Sequence, residues 1–373
     1  MRAGAEENEY RGEVPPELRA ETDSGPSTRR DDMPGGGDAV AHAEVPGGWG
    51  PDAGYPPRRR RSRLLLALVV LLLLPVSVPL GFRLADADGP TPVPQLLAFL
   101  PWFLAPGWLA LALTVLGRRW LAALWAVVVL ALTAWFIQPY GADAPPPSDE
   151  PATARFRVLT ANLQYGQAVD PLLEVLRRER PQLVSVQECD QRCADELRSP
   201  EMREAYPHRV IVAGSAAEGS ALLSTYRLRS TPPVEGLLSM PGAYADIAGT
   251  RVHVQVAHPM PPTPGDLPTW RAELANLRTY AADRAGQPTL IAGDFNATQD
   301  HAAFRALLDT GLRDAARLQG QSRTPTWPTA TAPPLGAQLD HVLLSERFEA
   351  VDATFVDLAD TDHRALLTDL KLY

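Results

Sequence analysis

Three long apolar stretches restrict what this chain can fold into more than any other feature of its sequence. They cover residues 64–82, 93–116 and 120–138 of the 373. Each approaches the roughly 20 residues that a helix needs to cross the hydrocarbon core of a bilayer. Pro75, Pro79, Pro101 and Pro106 interrupt them, which membrane helices tolerate better than soluble helices do. The pattern therefore predicts three transmembrane helices within residues 58–138.

Basic residues flank these stretches unevenly. Five arginines lie between positions 58 and 63, and Arg118 and Arg119 join the second stretch to the third, whereas the loop 83–92 carries Asp86 and Asp88 against one arginine. Because arginine-rich flanks stay in the cytoplasm, we expect a multi-pass protein of the cell membrane with its N-terminus inside and everything after position 138 outside. A cleaved signal peptide is the alternative for the first stretch. It would begin unusually far into the chain and would leave the other two stretches unexplained.

Two further segments flank the apolar region. Residues 1–57 are rich in Gly, Pro, Glu and Ala, and such a composition buries too little surface to offset its conformational entropy. We therefore expect a disordered cytoplasmic tail. Residues 139–151 contain three consecutive prolines and several acidic residues, which predicts an extended linker that holds the following domain within roughly 40 Å of the bilayer. Such a tether would favour a membrane-bound substrate.

The chain has two cysteines, Cys189 and Cys193. Outside the cell they could form a disulfide, although in a continuous helix their Cα separation would lie near the upper limit for one. Free thiols are the alternative. A zinc site is not favoured, because no histidine neighbours the pair.

Residues 152–373 alternate strand-like and helical patterns, which predicts a mixed α/β domain with helices on the outer faces of its sheets. This part has 22 basic and 27 acidic residues, a net charge of −5, and Lys371 is its one lysine. Non-specific binding to nucleic acid depends on cations that neutralise phosphates. Nucleic acid is therefore a possible partner but not a favoured one, and a bound metal ion could still supply local positive charge.

Five polar islands end predicted strands in this domain. The tetrapeptide GDFN at 293–296 follows the apolar run 289–292, and on an extended chain Asp294 and Asn296 project from the same side. The other islands are Asn162, Glu188, His258 and, near the C-terminus, the pairs Asp340-His341 and Asp362-His363. Each residue alone is as easily a turn residue, a helix-start carboxylate or a salt-bridged strand end. Together they provide oxygen donors of the kind that Mg²⁺ prefers and two candidates, Asp294 and His363, for a base that orients an attacking water.

These islands lie in motifs that resemble the endonuclease/exonuclease/phosphatase superfamily over residues from about 155 to 373. The motifs are VLTAN at 158–162, VQE at 186–188, SALLS at 220–224, GDFN at 293–296, LDHVLL at 339–344 and TDHR at 361–364. The resemblance implies a four-layer sandwich of two β-sheets flanked by helices. It also implies a phosphoesterase that depends on a divalent metal, Mg²⁺ or Mn²⁺.

The resemblance further implies a metal site and leaves two departures from the family pattern. Glu188 corresponds to the metal-binding carboxylate, and Asn162 and Asp362 would complete the polar shell around the metal. Gln182 stands where the family often has an aspartate, and Gln338 where it commonly has an arginine. These departures affect fine detail rather than the class of reaction.

Catalytic roles follow from the same resemblance. Asp294 and Asn296 would orient the attacking water and the phosphate. Asp340 would orient His363, which either contacts the scissile phosphate or acts as general base. His258 would be the second histidine that faces the phosphate.

The order of three apolar stretches before such a domain resembles the VanJ-type membrane proteins associated with teicoplanin resistance, which are thought to act on lipid-linked pyrophosphates of cell-wall synthesis. This resemblance implies a phosphohydrolase that acts on a phosphorylated or pyrophosphorylated lipid at the outer leaflet, with the membrane and the lipid-linked phosphate as its partners. One alternative is a membrane-anchored extracellular nuclease, for which Tyr165, Trp270 and Trp327 would be candidate base-stacking residues, although burial in packing is the simpler interpretation of Trp327. The other alternative is an inactive binding module.

Overall fold

The computed structural model describes residues 58–143, 151–331 and 335–373. The predicted disordered tail, residues 1–57, lies outside the described residues. Most of the predicted linker, residues 144–150, also lies outside them.

Apolar helices form the N-terminal part of the described chain. In chain order they are α1 (Arg58–Leu84), α2 (Val93–Leu97), a 3₁₀ turn (Leu100–Phe103), α3 (Leu104–Leu116) and α4 (Trp120–Phe136). The three longer helices pack against one another around a shared core of buried apolar side chains.

One of these helices is long and apolar enough to cross a membrane. The segment Ser62–Leu84 meets that criterion, whereas the apolar segments Leu100–Leu116 and Trp120–Phe136 are shorter. The 17 residues of α4 make a helix of about 25 Å, against about 30 Å for a hydrocarbon core. Of the three predicted spans, the structure thus supports the first as a candidate and does not support the other two by length.

The predicted second span, residues 93–116, is not one helix. Pro94 lies in the first turn of α2, and Pro101 lies in the first turn of the 3₁₀ segment. Proline lacks an N–H and its ring clashes with the preceding turn, so it fits the start of a helix better than the interior, although α1 continues through Pro75 and Pro79. The chain therefore bends between α1 and α3. We call residues 85–103 the docking segment, because they lie against the C-terminal domain.

The C-terminal domain contains two six-stranded sheets. The strands are β1 (Ala154–Asn162), β2 (Leu183–Gln187), β3 (His208–Val212), β4 (Ser220–Ser224), β5 (Arg227–Val234), β6 (Met240–Ile247), β7 (Thr250–Ala257), β8 (Thr289–Asp294), β9 (Arg313–Asp314), β10 (Asp340–Leu344), β11 (Phe348–Asp357) and β12 (Arg364–Leu372). The first sheet has the order β11-β12-β1-β2-β4-β3, and the second has the order β5-β6-β7-β8-β10-β9. The helices of the domain are α5 (Val169–Glu179), α6 (Gln191–Leu197), α7 (Pro200–Ala205), α8 (Leu267–Ala282), α9 (Ala302–Leu308) and α10 (Ala315–Leu318).

The main hydrophobic core lies between the two sheets. Leu370 of the first sheet and Val254 and Leu290 of the second are fully buried there. Leu172 of α5 belongs to a second cluster on the outer face of the first sheet, and Trp270 of α8 to a third on the outer face of the second. Two sheets flanked by helices confirm the predicted mixed α/β class.

Strand pairing brings the polar islands to one rim of this sandwich. In each sheet two strands run parallel, β1 beside β2 and β7 beside β8, so their carboxyl ends lie at the same edge. Antiparallel β10 places Asp340 directly opposite Asp294 in the register. Strand β12 starts just after His363 and runs antiparallel to β1, whose last residue is Asn162.

Hydrogen bonds fasten the docking segment to the domain. The two oxygens of the buried Asp88 carboxylate accept from the backbone N–H groups of Ala302 and Ala303, at 2.6 and 3.1 Å. Asp88 thereby satisfies free donors in the first turn of α9. The neighbouring Asp86 accepts from the guanidinium of Arg305 at 2.5 Å.

A second set of bonds holds the end of α4. The Arg323 guanidinium donates to the carbonyl oxygens of Phe136 at 2.8 Å and Ile137 at 3.0 Å. It also donates to both oxygens of the buried Asp300, at 2.6 and 3.0 Å. A cation at the carboxyl end of a helix interacts favourably with its free carbonyl groups.

The start of the predicted linker also lies on the domain. The backbone N–H of Tyr140 donates to the side chain of Gln299, and the Arg317 guanidinium donates to Asp143 at 2.8 Å. The first residues of the predicted linker therefore contact the domain. The domain rests directly on the helices.

Candidate active site

Asn162 holds two carboxylates together at the rim. Its side-chain nitrogen donates to Glu188 Oε1 at 3.0 Å and to Asp294 Oδ2 at 3.1 Å. Its side-chain oxygen accepts from the backbone N–H of Gln164 at 3.0 Å, which fixes the orientation of the amide. Asn162 therefore presents N–H groups to the centre, and this geometry suits positioning of the carboxylates better than the predicted role in the metal shell.

Glu188 has an unusual backbone conformation at the end of β2. Its φ is +56°, in the left-handed region that non-glycine residues rarely adopt outside functional sites. The backbone N–H of Tyr165 donates to its second oxygen at 2.8 Å. Burial raises the pKa of this carboxyl group, and the bonds from Asn162 and Tyr165 act against that rise.

A disulfide lies next to Glu188. Cys189 and Cys193 are linked, with their Cα atoms 5.2 Å apart. Helix α6 begins only at Gln191, after an N-cap in which Asp190 accepts from the backbone N–H of Cys193. Cys189 thus precedes the helix, so the Cα separation is shorter than that of two residues four positions apart within one helix. The disulfide links the residue after Glu188 to the first turn of α6.

His363 lies between two carboxylates. Its Nδ1 is 2.8 Å from Asp340 Oδ2, and its Nε2 is 3.8 Å from Asp294 Oδ2. The Thr361 hydroxyl accepts from the His363 backbone N–H and donates to the carbonyl of Asn162, so the loop before β12 is fixed to the end of β1. Burial lowers the pKa of His363, but Asp340 and Asp294 outweigh this effect and raise it to about 10. The side chain is a cation in this arrangement.

His258 has the opposite character. It is buried, and its Nδ1 has no hydrogen-bond partner among the described residues. Its Nε2 is 4.0 Å from Glu188 Oε1. Burial lowers its pKa to about 4, although Asp294 acts in the other direction. A neutral imidazole at this position can donate one hydrogen bond to a phosphate oxygen without carrying charge.

Asn296 does not follow the alternation expected of a strand. Strand β8 ends at Asp294, and Asn296 has a φ of +47°. Its backbone N–H donates to Asp294 Oδ1 at 2.8 Å, and its side-chain nitrogen donates to the carbonyl of Pro259 at 3.0 Å. Asn296 still lines the site cavity, but it reaches that position through a turn.

Of the remaining residues in the two C-terminal pairs, Asp362 lies in the site and His341 has a structural role. Asp362 Oδ2 accepts from the indole N–H of Trp327 at 2.9 Å, and Oδ1 lies 4.0 Å from His363 Nε2. His341 faces away from the site, with Nδ1 2.6 Å from Asp314 and Nε2 3.0 Å from the carbonyl oxygen of Ala297. The salt-bridged strand end considered above is thus the observed role of His341.

The donor set fits a divalent cation. Ligand atoms of Asp294, Asp340 and His363 lie within 4.8 Å of one another, but both nitrogens of His363 face carboxylates. A hard cation such as Mg²⁺ prefers oxygen ligands, which Glu188 and Asp362 can offer at the same rim. Burial raises the pKa values of both Glu188 and Asp294, although His363 acts against the rise, and a divalent cation would favour the charged forms of both carboxylates. The identity of the metal stays a prediction.

These residues open into a cavity of about 570 Å³. Glu188, Asp294 and His363 line it together with many apolar side chains. Residues of the docking segment form part of its wall, among them Phe99. This wall could not be predicted from the sequence, because nothing in the local pattern shows that an apolar helical segment meets a site more than 60 positions away.

The profile of the endonuclease/exonuclease/phosphatase family matches residues 159–363, more than half of the chain. The chain belongs to this family. Enzymes of the endonuclease/exonuclease/phosphatase family are metal-dependent phosphoesterases, and the chain is accordingly a metal-dependent hydrolase. The expected enzyme class is thereby confirmed.

Several solved structures are similar to the chain at low identity. A humanized TDP2 of D. rerio is 13% identical, with 58% of this chain and 98% of that chain covered and a TM-score of 0.49. An AP endonuclease from Archaeoglobus fulgidus is 17% identical, with 57% and 98% covered and a TM-score of 0.47. Sphingomyelinase C from Streptomyces griseocarneus is 15% identical, with 58% and 99% covered and a TM-score of 0.43. No curated protein matches the chain in sequence.

Proposed function

We propose that this enzyme is a membrane-anchored, extracytoplasmic phosphohydrolase that acts on a phosphorylated or pyrophosphorylated lipid at the outer leaflet, as the VanJ-type proteins are thought to do. The observation that carries the proposal is the wall of the active-site cavity. Phe99 and Pro94 of the docking segment, which joins two apolar helices, line the same cavity as Glu188, Asp294 and His363. A site built against such helices suits a substrate that is itself held in a bilayer.

The surface of the helices supports a membrane location. Among the described residues, 20 of the 25 exposed large apolar side chains lie between positions 64 and 135. Exposed apolar side chains concentrated in one part of a protein are typical of a protein or membrane interface. In the proposed arrangement α1 spans the bilayer, and the shorter segments that contain α3 and α4 cross it where flanking residues reach the interface.

Two observations support the outward orientation. The arginines at the start of α1 and between α3 and α4 favour the cytoplasm for those ends. The Cys189–Cys193 disulfide lies in the catalytic domain, and disulfides persist mainly in oxidising compartments. Both observations support an active site on the outer side of the membrane.

The side chains divide the chemistry between them. Glu188 and Asp362 would hold the metal, with Asn162 positioning Glu188. A divalent cation in that place would neutralise charge on a phosphoryl oxygen and assist the leaving group. Asp294, held by Asn162 and by the backbone of Asn296, is placed to orient a water for in-line attack.

The two histidines would contact the phosphate. Cationic His363, fixed by Asp340, offers charge to the phosphoryl oxygens at the point where negative charge increases. Neutral His258, which lines the same cavity, offers a hydrogen bond. Because a cationic His363 has no free nitrogen to accept a proton, this proposal assigns Asp294 as the base that accepts the proton of the water, and single-turnover pH profiles of variants at each position would test it.

The test is a substrate panel with the full-length protein and Mg²⁺. The panel contains a lipid pyrophosphate, a phosphodiester lipid, and single- and double-stranded DNA, with Asp294→Ala as the inactive control. We expect turnover of a lipid phosphate and at most slow cleavage of DNA. Brisk cleavage of DNA without turnover of any lipid would support the anchored nuclease instead, and no turnover of any substrate would support the binding module.

A further inference from the structure

We propose that the apolar lining of the active-site cavity binds the hydrocarbon chain next to the scissile phosphate, with the contacting rings of Phe99 and Trp327 as part of that lining. The inference rests on the proposed function, because it describes how a lipid is held at the same site. It assigns a substrate-binding role to the docking segment, which lies outside the family domain.

The lining of the cavity combines two kinds of side chain. Catalytic carboxylates and histidines share it with apolar side chains, namely Ala98, Phe99, Leu238, Met260, Trp327 and Leu339. The rings of Phe99 and Trp327 have centroids 6.4 Å apart and contact each other. Trp327 links the two kinds of lining, because its indole N–H donates to Asp362 while its ring contacts that of Phe99.

The chain segments that carry Trp327 and Phe99 are both held in place by hydrogen bonds before any ligand binds. Trp327 exchanges two backbone hydrogen bonds with Ala337, at 3.0 and 2.7 Å. On the other side, the Pro94 carbonyl accepts from His301 Nε2 at 2.8 Å, and the Gln95 side chain donates to the Pro262 carbonyl. A preformed apolar pocket binds a chain without the cost of ordering its own walls.

A hydrocarbon chain is the occupant that the surroundings favour. No lysine or arginine lies among the described residues that line the cavity, and a nucleic-acid strand would need such cations along its backbone. Leu96 and Trp102, on the same docking segment as Phe99, are 38% and 39% exposed. Apolar surface thus continues on this segment outside the cavity, toward the exposed apolar faces of the helices.

The experiment compares long and short substrates that carry the same reacting group. Full-length wild type and variants in vesicles are assayed with a long-chain polyprenyl pyrophosphate and with isopentenyl pyrophosphate, which has a single isoprene unit. Phe99→Ala should lower kcat/KM for the long substrate by about 10-fold to 100-fold, as expected when one aromatic side chain no longer buries apolar surface. The same variant should lower kcat/KM for the short substrate far less, because a single isoprene unit covers little of the apolar lining.

Three further variants make the test specific. Ala98→Trp should obstruct the same space and produce the same selective loss, and Phe99→Leu should restore most of the activity on the long substrate. Trp102→Ala, on the same segment but outside the cavity lining, is the matched control and should have no effect on either substrate.

Two results would overturn the inference. Equal loss on both substrates in Phe99→Ala would show that the segment supports the phosphate end rather than a chain. Equal kcat/KM values of wild type and Phe99→Ala on the long substrate would show that the chain lies elsewhere, with the proposed function intact. If wild type hydrolyses isopentenyl pyrophosphate or an oligonucleotide but no lipid, the proposed function fails first, and the chain-binding role fails with it.

Discussion

At the scale of single residues, the site is a set of acidic groups joined by few donors. Asn162 bridges Glu188 and Asp294, and one oxygen of Asp340 bonds to His363 while the other has no partner among the described residues. Such an arrangement stores negative charge where a cation and a phosphate are to be bound. Its members should therefore differ in which kinetic constant they control.

Asp340→Asn should lower kcat by about 100-fold or more with little change in the free energy of unfolding. The amide has nearly the shape of the carboxylate but cannot hold His363 as a cation in the correct orientation. Single-turnover hydrolysis and thermal unfolding measure the two effects. Asp352→Asn, at an exposed position of β11, is the control, and unchanged kcat in Asp340→Asn would contradict the assigned role.

Chelation of divalent ions should abolish activity, and added Mg²⁺ should restore it. In Glu188→Gln, the Mg²⁺ concentration for half-maximal activity should rise by about 10-fold or more, because the main oxygen ligand loses its charge. A titration of initial rate against Mg²⁺ measures this shift. Glu204→Gln, exposed on α7, should follow the wild-type curve, and the assignment fails if Glu188→Gln does so too.

Much of this site could be predicted from the sequence because each residue ends a strand. Asn162, His258 and Asp294 follow apolar runs of strand length, and such loops lie at a sheet rim whatever the rest of the fold. Asn296 could not be placed this way, since its left-handed turn depends on contacts with Pro259 and Trp270. The separation of the C-terminal histidines into a site residue and a structural residue likewise depended on pairing with distant side chains.

At the scale of elements, the docking segment is the feature that sequence patterns described least well. Hydropathy predicted one helix over residues 93–116, whereas prolines divide the stretch and turn it onto the domain. Asp88, Pro94 and Arg271 take part in the bonds that hold it. These bonds join residues about 180 to 215 positions apart, so no local pattern could indicate them.

Docking should weaken as the pH falls below 6.5. His301 accepts a backbone N–H bond at Nδ1 and reaches the Pro94 carbonyl through Nε2, which requires a neutral ring. Burial lowers its pKa from the ordinary 6.5, with Asp88 and Asp300 acting against the shift and Arg305 with it. The undocked histidine therefore binds a proton more readily than the docked one. The contribution of His301 to the free energy of docking is thus full above pH 6.5 and is lost as the pH falls toward the lowered pKa.

Hydrogen exchange of the amides in residues 85–103 measures this docking. Exchange should accelerate at acidic pH in wild type, and His301→Gln should remove most of the pH dependence while weakening docking at neutral pH. His208→Gln, in strand β3 of the first sheet and away from the docking segment in the sequence, is the control. A wild-type segment with the same protection above and below pH 6.5 would contradict the prediction.

At the scale of the whole molecule, an apolar helical part and a family domain share one interface and one cavity. The family profile covers only the second part, and composition separates the two parts clearly. That division was predictable, because apolar runs and alternating strands have distinct patterns. The bonds from Arg323 to the end of α4, which join the two parts into a single unit, could not be predicted from such patterns.

A reporter that is active only in an oxidising compartment should be active when fused after Tyr373. The prediction follows from the proposed orientation and from the disulfide behind Glu188. Alkylation provides a second measurement, since Cys189 and Cys193 should resist it in intact protein until a reductant is added. A fusion that is active only in the cytoplasm would reverse the topology.

The anchoring of the catalytic domain at both ends of the helices has a kinetic consequence. If α1, α3 and α4 lie in a bilayer as proposed, the bonds of Asp88 and Arg323 leave the domain little freedom to rise or tilt. Encounters with substrate then reduce to lateral diffusion in two dimensions at a single height above the lipid. Turnover would follow the mole fraction of the substrate in the membrane rather than its bulk concentration, and inert lipid would act as a diluent.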